Sequence, residues 1–133
     1  MREALFHASV ANGRDVKIRW VNSEELERGD SAVMLTREGR DLQEAGKVKE
    51  AEKRFRLAVE RDPEYAEAWN NKGIALCSLG KCDEAIGAFD EAIRIDPENA
   101  AAWNNKGLAL GSLGKYVEAI RAHDEAIRLD PEY

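Results

Sequence analysis

Apolar and small residues recur at spacings of three and four along most of the chain, a spacing that places them on one face of an α-helix. In the middle of the sequence one such stripe contains Trp69, Gly73 and Leu76, and a second runs from Ala85 to Phe89 and beyond. Two stripes separated by a few residues predict two helices packed against each other. The pattern therefore predicts a helical hairpin as the basic unit.

The three prolines show how often this unit recurs. Pro63, Pro97 and Pro131 are separated by 34 residues in each case. Residues 66–99 and 100–133 are identical at 25 of 34 positions without a gap, and one earlier unit aligns in the same frame more distantly. A regular period of this length predicts a repeat protein. The predicted parts are a non-repeat segment at residues 1–31 and three units at residues 32–65, 66–99 and 100–133.

Glycine and proline mark where the predicted helices end. Gly80 lies between the two stripes of its unit, where a left-handed residue commonly ends a helix, and Gly46 and Gly114 take the same place in the other units. An Asp-Pro pair lies near the end of each unit. It is predicted to end the second helix, because a helical conformation is disfavoured for the residue before a proline. Gly73 falls in mid-helix, at a cost of about 1 kcal/mol, and predicts the close approach of another helix.

These features resemble the tetratricopeptide repeat (TPR), whose pattern is W-x2-L-G-x2-Y, then A-x3-F, then P in 34 residues. The matching residues are Trp69, Gly73, Leu76, Ala85, Phe89, Ala92 and Pro97 in the second unit, and Trp103, Gly107, Leu110, Ala119, Ala126 and Pro131 in the third. The resemblance covers residues 32–133. It implies an all-α fold in which three tandem helix-turn-helix hairpins stack into a right-handed α-solenoid.

The chain departs from the pattern at three places. Leu35 replaces the first tryptophan, and lysine or glutamate replaces the leucine before the mid-helix glycine. His123 stands where Phe55 and Phe89 stand in the other units. Because terminal repeats are often atypical, His123 is interpreted as the sign of a less buried last helix.

The resemblance also implies a concave surface, lined by the first helix of each unit, that holds an extended or helical peptide. Counting helical faces predicts that the following side chains point into it: Thr36, Arg37, Arg40 and Glu44; Glu67, Asn70, Asn71, Ile74, Cys77 and Ser78; and Asn104, Asn105, Leu108 and Ser112. The paired asparagines can read a peptide backbone, because an amide both donates and accepts hydrogen bonds. Equally, they can cap or solvate the array without contacting a ligand.

TPR proteins that grip the C-terminal carboxylate of chaperones use lysines, an arginine and asparagines on successive first helices. Asn71 matches a position of that clamp, whereas Thr36, Ala101 and Asn105 replace basic or amide members and Arg40 stands where an asparagine is usual. The sequence therefore disfavours a chaperone clamp. It predicts a mildly polar peptide ligand instead of a phosphate or a strongly acidic tail.

The last unit reaches Tyr133 without a following polar helix, and stacked repeats need covered ends. Ile120, Ile127 and Leu129 are therefore expected to form a partly uncovered apolar face. The simplest way to cover such a face is an isologous contact, in which two copies present the same surface to each other. The sequence therefore predicts a homodimer through the C-terminal repeat. The alternative is a frayed last helix.

Residues 1–31 do not follow the period. The predicted elements there are a helix from Arg2 to Ala11, an Asn12-Gly13 turn, a strand from Val16 to Val21 and a helix that begins at Ser23. A lone strand is marginal in water, so it is expected to pair with a second copy, unless the segment folds as an extra helix over the first repeat.

Part of this segment, residues 3–29, resembles the helix-strand element that opens the glutamine amidotransferase domain of CTP synthases. The cysteine, histidine and glutamate with which that domain performs catalysis have no counterpart in this chain. The resemblance leaves open a regulatory fragment connected with nucleotide synthesis, but implies no glutaminase or synthase activity.

Composition and charge narrow the function further. The 133 residues include 20 Lys+Arg and 26 Asp+Glu, a net charge of -6 without a basic cluster, so nucleic acid is not expected as a partner. The absence of an 18-residue apolar run and of a signal-peptide pattern predicts a cytoplasmic protein that does not contact membranes.

Catalytic and metal-binding residues are not evident. Cys77 and Cys82 form a C-x4-C spacing that matches neither zinc nor redox motifs, and they are interpreted as reduced, buried thiols. His7 and His123 lie far apart, and no nucleophile elbow is present. The sequence thus predicts no enzyme, metal or cofactor. It favours a protein-protein interaction module, a TPR scaffold or adaptor; the alternative is a self-assembling structural protein.

Overall fold

The computed structural model describes residues 4–9, 17–22 and 31–132. The chain divides into two units, residues 1–31 and residues 32–133. The described elements are strands β1 (Ala4–Ser9) and β2 (Lys17–Asn22) and helices α1 (Ala32–Glu44), α2 (Val48–Arg61), α3 (Ala66–Ser78), α4 (Cys82–Ile95), α5 (Ala100–Ser112) and α6 (Tyr116–Leu129). The helices pair in order as three hairpins, which confirms the predicted repeat fold.

The turn within each hairpin follows the glycine pattern. Gly80 has a φ of +79° and donates its N–H to the carbonyl of Cys77 at 2.9 Å. The next N–H, that of Lys81, reaches back to the carbonyl of Leu76 at 2.8 Å, so the last carbonyls of α3 are satisfied. The positive φ recurs at Gly46 and Gly114, which confirms all three predicted turns.

Each second helix ends at the aspartate before a proline. Asp96 lies outside the helical region, with φ -133° and ψ 88°, because the α conformation is disfavoured before a proline. Its N–H still donates to the carbonyl of Ala92, and its carboxylate accepts from the N–H of Glu98 at 3.2 Å. The Asp-Pro pair thus ends one hairpin and begins the turn into the next.

The two helices of a hairpin approach closely at the mid-helix glycine. A Cβ on Gly73 would lie 2.4 Å from the ring of Phe89, which is 1% exposed, and a Cβ on Gly39 would lie 2.5 Å from Phe55. In the third hairpin the ring of His123 takes this place over Gly107. The glycines are therefore packing positions, as predicted, and the half-buried His123 fills the site of a phenylalanine.

Neighbouring hairpins stack through alanines. On α3, Ala68 packs with Val59, and Ala75 packs with Phe55, both of which belong to α2. Ala109 of α5 joins the core of the α3–α4 hairpin in the same way. Small residues on α3 and α5 let each of these helices lie close against the hairpin before it, so apolar clusters span both joints between the hairpins.

Tryptophans also tie the hairpins together. Trp69 Nε1–H donates to the carbonyl of Pro63 at 2.8 Å, and Trp103 Nε1–H donates to that of Pro97 at 3.1 Å. Each bond joins a first helix to the Asp-Pro turn that precedes it.

None of the helices in the described ranges combines the length and apolar content needed to cross a membrane.

The N-terminal unit contains an antiparallel pair of strands. Residue Ala4 pairs with Asn22, and Phe6 pairs with Trp20. The prediction of a strand near residues 16–21 is correct to within one residue, but the prediction of a helix from Arg2 to Ala11 is wrong, because residues 4–9 form β1. The partner that a lone strand needs is the preceding segment of the same chain. The predicted Asn12-Gly13 turn and the helix beginning at Ser23 lie outside the described residues.

Candidate functional site

The first helices of the three hairpins, α1, α3 and α5, form a common surface. They contact one another in order, whereas the second helices hardly touch one another within the described residues. An array compressed on one side curves toward that side, so the first helices line the concave surface. Residues 34 positions apart occupy the same place on successive helices and form rows across it.

One row consists of Arg37, Asn71 and Asn105. Arg37 is exposed and has no ion pair or hydrogen bond within residues 31–132. Asn105 Nδ2 donates to Asn70 Oδ1 at 3.2 Å, which links α5 to α3. The Nδ2 atom of Asn71 is buried and has no hydrogen-bond partner among the described residues. The row thus presents an uncompensated cation and a side-chain amide that still needs an acceptor.

The neighbouring row consists of Arg40, Ile74 and Leu108. Leu108 is 58% exposed, whereas Ile74 is half-buried and packs against the α3–α4 core. Arg40 Nη1 forms an ion pair with Glu67 Oε1 at 2.9 Å. The row therefore changes from a paired charge at the first hairpin to an open apolar surface at the third.

Tyr65 completes the cluster around Arg40. Its hydroxyl donates to the other carboxylate oxygen of Glu67 at 2.8 Å. Burial and this hydrogen bond raise the pKa of Tyr65 to about 12. Glu67 already compensates the charge of Arg40, so Arg37 is the arginine of these two rows that has no carboxylate partner within residues 31–132. Sequence reasoning placed Arg40 and Glu67 in the groove but missed that they bind each other.

Asn70 and Asn104, which helical counting placed in the groove, hold neighbouring elements together. Asn70 accepts from Asn105, as described above. A hydrogen bond of 2.9 Å joins Asn104 Oδ1 to Nδ1 of His123 on the second helix of the same hairpin. Thr36, at the matching place on α1, is 1% exposed and donates to the carbonyl of Ala32 at 2.7 Å.

Other predicted groove residues are also engaged within the array. The hydroxyls of Ser78 and Ser112 donate to carbonyls of their own helices. Cys77 and Cys82 are half-buried against the α3–α4 core, where burial and then a hydrogen bond to Cys82 raise the pKa of the Cys77 thiol to about 12. Within the described residues no group of three His, Cys, Asp or Glu side chains converges in the way that a metal requires.

The terminal hairpin carries a second exposed surface. Ile120 and Ile127 are 59% and 51% exposed, although Leu129 is half-buried. Tyr116 and Val117 are more exposed still, at 68% and 67%, and sequence reasoning missed both. A comparison of each position with its counterpart one period earlier could have identified Val117, because Asp83 occupies that place in the second hairpin.

Comparisons with known proteins agree with this architecture. The family model of the tetratricopeptide repeat matches residues 36–98 and 74–133. The crystal structure of YrrB, described as a TPR protein with an unusual peptide-binding site, is 26% identical; the match covers 77% of this chain and 53% of that one, with a TM-score of 0.74.

Two further structures show the same fold. The first TPR of Spaghetti (RPAP3), bound to the HSP90 peptide SRMEEVD, is 24% identical over 77% of this chain and 81% of that one, with a TM-score of 0.75. A crystal structure of MamA is 24% identical over 81% of this chain and 63% of that one, with the same TM-score. No curated protein matches, and the resemblance of residues 3–29 to CTP synthases stays a prediction. The family match over residues 36–133 shows that the chain belongs to the tetratricopeptide repeat family.

Proposed function

We propose that the protein is a non-enzymatic interaction module that binds an extended segment of a partner protein against α1, α3 and α5. The observation that carries this proposal is the set of unused groups on that surface. The Arg37 guanidinium and the buried Nδ2 of Asn71 have no partner within the described residues, and Leu108 is exposed on α5 in the neighbouring row. A buried donor without a partner costs about 1–3 kcal/mol, and rotation of the Asn71 side chain toward an acceptor on a ligand would remove that cost.

The arrangement favours a particular ligand chemistry. A backbone carbonyl can accept from the Asn71 amide, a single carboxylate can pair with Arg37, and an apolar side chain can cover Leu108. This is a mildly polar segment with one acidic and one apolar residue. The peptide-binding site named in the description of YrrB supports the choice of a peptide as ligand.

A chaperone clamp of the kind that grips a terminal carboxylate is not part of this proposal. Thr36 is buried at a position where that clamp has a basic or amide residue, and Arg40 is paired with Glu67. The Spaghetti domain that holds SRMEEVD is similar to this chain in fold. Of the groups that this chain leaves unused on the inner surface, Asn71 stands at a position of that clamp, whereas Arg37 and Leu108 do not.

A peptide selection tests the proposal. A library of random linear peptides is displayed on phage and selected on the full chain, and the best peptide is then measured by fluorescence anisotropy against variants. We expect Leu108→Glu and Arg37→Glu each to weaken binding at least about tenfold, a loss of about 1.4 kcal/mol. Leu57→Glu is the matched control, because Leu57 is an exposed apolar residue on α2 and its counterpart is Glu91.

The result of that comparison is decisive in both directions. Weak binding to the Leu108→Glu variant with normal binding to the Leu57→Glu variant supports the inner surface as the site. Equal binding to both variants would place the peptide elsewhere and refute the proposal.

A second candidate function, homodimerisation through the terminal hairpin, is favoured by one specific observation. Ile120 and Ile127 are more than half exposed, whereas their counterparts Ile86 and Ile93 are half-buried, and Ile86 packs against the core of the third hairpin. Exposed apolar patches on soluble proteins mark interaction sites. We propose a second copy of the chain as the partner of this surface.

A further inference from the structure

Repeat stacking does not explain the most unusual residue of the terminal hairpin, Val117. Its counterparts in the first two hairpins are Lys49 and Asp83, and both are exposed although another hairpin stacks behind each of them. A polar residue is therefore the ordinary occupant of this place. Val117 is 67% exposed, and stacking of a further repeat of the same kind would leave that position open.

Val117 extends an apolar stripe along α6. With 3.6 residues per turn, Tyr116, Ile120 and Ile127 lie within a narrow sector of the helix, and Val117 borders it. All four side chains are more than half exposed. We name these four residues the terminal face. Their stripe spans more than two turns of helix, which is long enough to pack against another helix.

The internal joints of the array show what a first helix needs in order to pack on such a face. At two core-facing places α3 has Ala68 and Ala75, and α5 has alanines as well, Ala102 and Ala109, all at most 1% exposed. At the same two places α1 has Met34 and Asp41. Head-to-tail stacking of α1 from a second copy would press a bulky side chain and a carboxylate into an apolar joint, and burial of an unpaired charge is costly.

A two-fold contact avoids this conflict because each copy contributes the same apolar stripe. We infer that two copies pair their terminal faces with the two α6 helices antiparallel, an arrangement that rests on the homodimer proposed above. When a two-fold axis relates two antiparallel helices, the same flank of each helix lies on the same side of the contact, so the two flanks face each other. Arg121 and Asp124 lie on one flank of α6, both exposed and without an ion pair in residues 31–132.

Charge complementarity supports this orientation. The two-fold axis can lie between the two α6 helices at the level of residues 122 and 123. Arg121 of each copy then lies level with Asp124 of the other, so the contact occurs twice. Arg128 is already paired with Glu125 of its own helix at 2.9 Å, so its charge does not require a partner from the second copy. The pairing therefore buries the terminal face and joins two pairs of charges that are separate in one chain.

Mass measurement tests the terminal face. Light scattering across a concentration series should give a dimer for the full chain, with the dissociation constant raised at least about tenfold in Val117→Lys. In the proposed pairing position 117 lies level with Arg128 of the other copy, so a lysine there removes apolar surface and adds a like charge. The first hairpin carries a lysine at the same place, so the fold should tolerate the substitution. Leu57→Glu again serves as control and should leave the mass unchanged. A chain that is monomeric at every concentration, or a Val117→Lys variant that dimerises normally, would overturn the inference.

A charge exchange tests the orientation separately. Arg121→Asp and Asp124→Arg each place like charges opposite one another, so each variant should dimerise at least about tenfold more weakly than the native chain. An equimolar mixture of the two variants restores both charge pairs, and a heterodimer should form at native affinity. If the native chain dimerises but the mixture is no tighter than either variant, the antiparallel pairing is wrong and the homodimer itself stands.

Discussion

Replacement of Gly73 by alanine tests the packing within the hairpins. The new Cβ would lie 2.4, 2.7 and 2.7 Å from three ring atoms of Phe89. That ring is 1% exposed and is enclosed by Leu76, Ala85 and Ala109, so it has little room to move. Overpacking of a core costs about 1–3 kcal/mol. Alanine in place of glycine within a helix raises the free energy of unfolding by about 1 kcal/mol, because alanine has the higher helix propensity. We expect a net loss of up to about 2 kcal/mol in the free energy of unfolding.

A matched control exists on the helix that packs against Gly73. Gly87 of α4 has no heavy atom within 4 Å of the place where a Cβ would lie. Alanine there keeps the helix-propensity gain without the clash, so we expect Gly87→Ala to raise the free energy of unfolding by about 0.5–1 kcal/mol. Urea unfolding followed by far-ultraviolet circular dichroism measures all three proteins. If Gly73→Ala were as stable as Gly87→Ala, the close approach of the two helices would be wrong.

Three further predictions follow from single side chains. Trp103→Phe removes the hydrogen bond to the carbonyl of Pro97 and should lower the free energy of unfolding by about 1 kcal/mol, measured by the same urea unfolding. Because burial raises the pKa of Cys77 to about 12, little thiolate exists at pH 8, and mass spectrometry should show much slower iodoacetamide alkylation of Cys77 in the folded chain than in urea. The pKa of Tyr65 is raised to about 12, so the stability it adds is complete below pH about 10 and is lost as the pH rises through 12. Absorbance at 295 nm should show a late-titrating tyrosine that Tyr65→Phe removes.

The repeat architecture could be predicted because its signals are local and occur three times. The spacing of Pro63, Pro97 and Pro131 gives the period, and a left-handed glycine ends each first helix whatever lies around it. The N-terminal segment has no such repetition. Its apolar residues between Ala4 and Ala8 fit a helix as well as a strand, and the pairing with β2 decides between them.

The exposure of some candidate site residues was predictable from the sequence, but the contacts between their side chains were not. Helical counting placed Arg37 and Leu108 on the inner surface, where the structure also has them exposed. It could not show that Asn104 reaches His123 or that Arg40 reaches Glu67, since the partners lie 19 and 27 residues apart on different helices. Such contacts depend on how the helices pack and on which rotamers the packing allows.

The most direct test of the central claim is an amide NMR titration of the full chain with the selected peptide. If the inner surface binds the peptide, chemical-shift changes should concentrate on α1, α3 and α5, around Arg37, Asn71 and Leu108. Changes confined to α2, α4 and α6 would show that the peptide binds the outer helices and would contradict the proposed function.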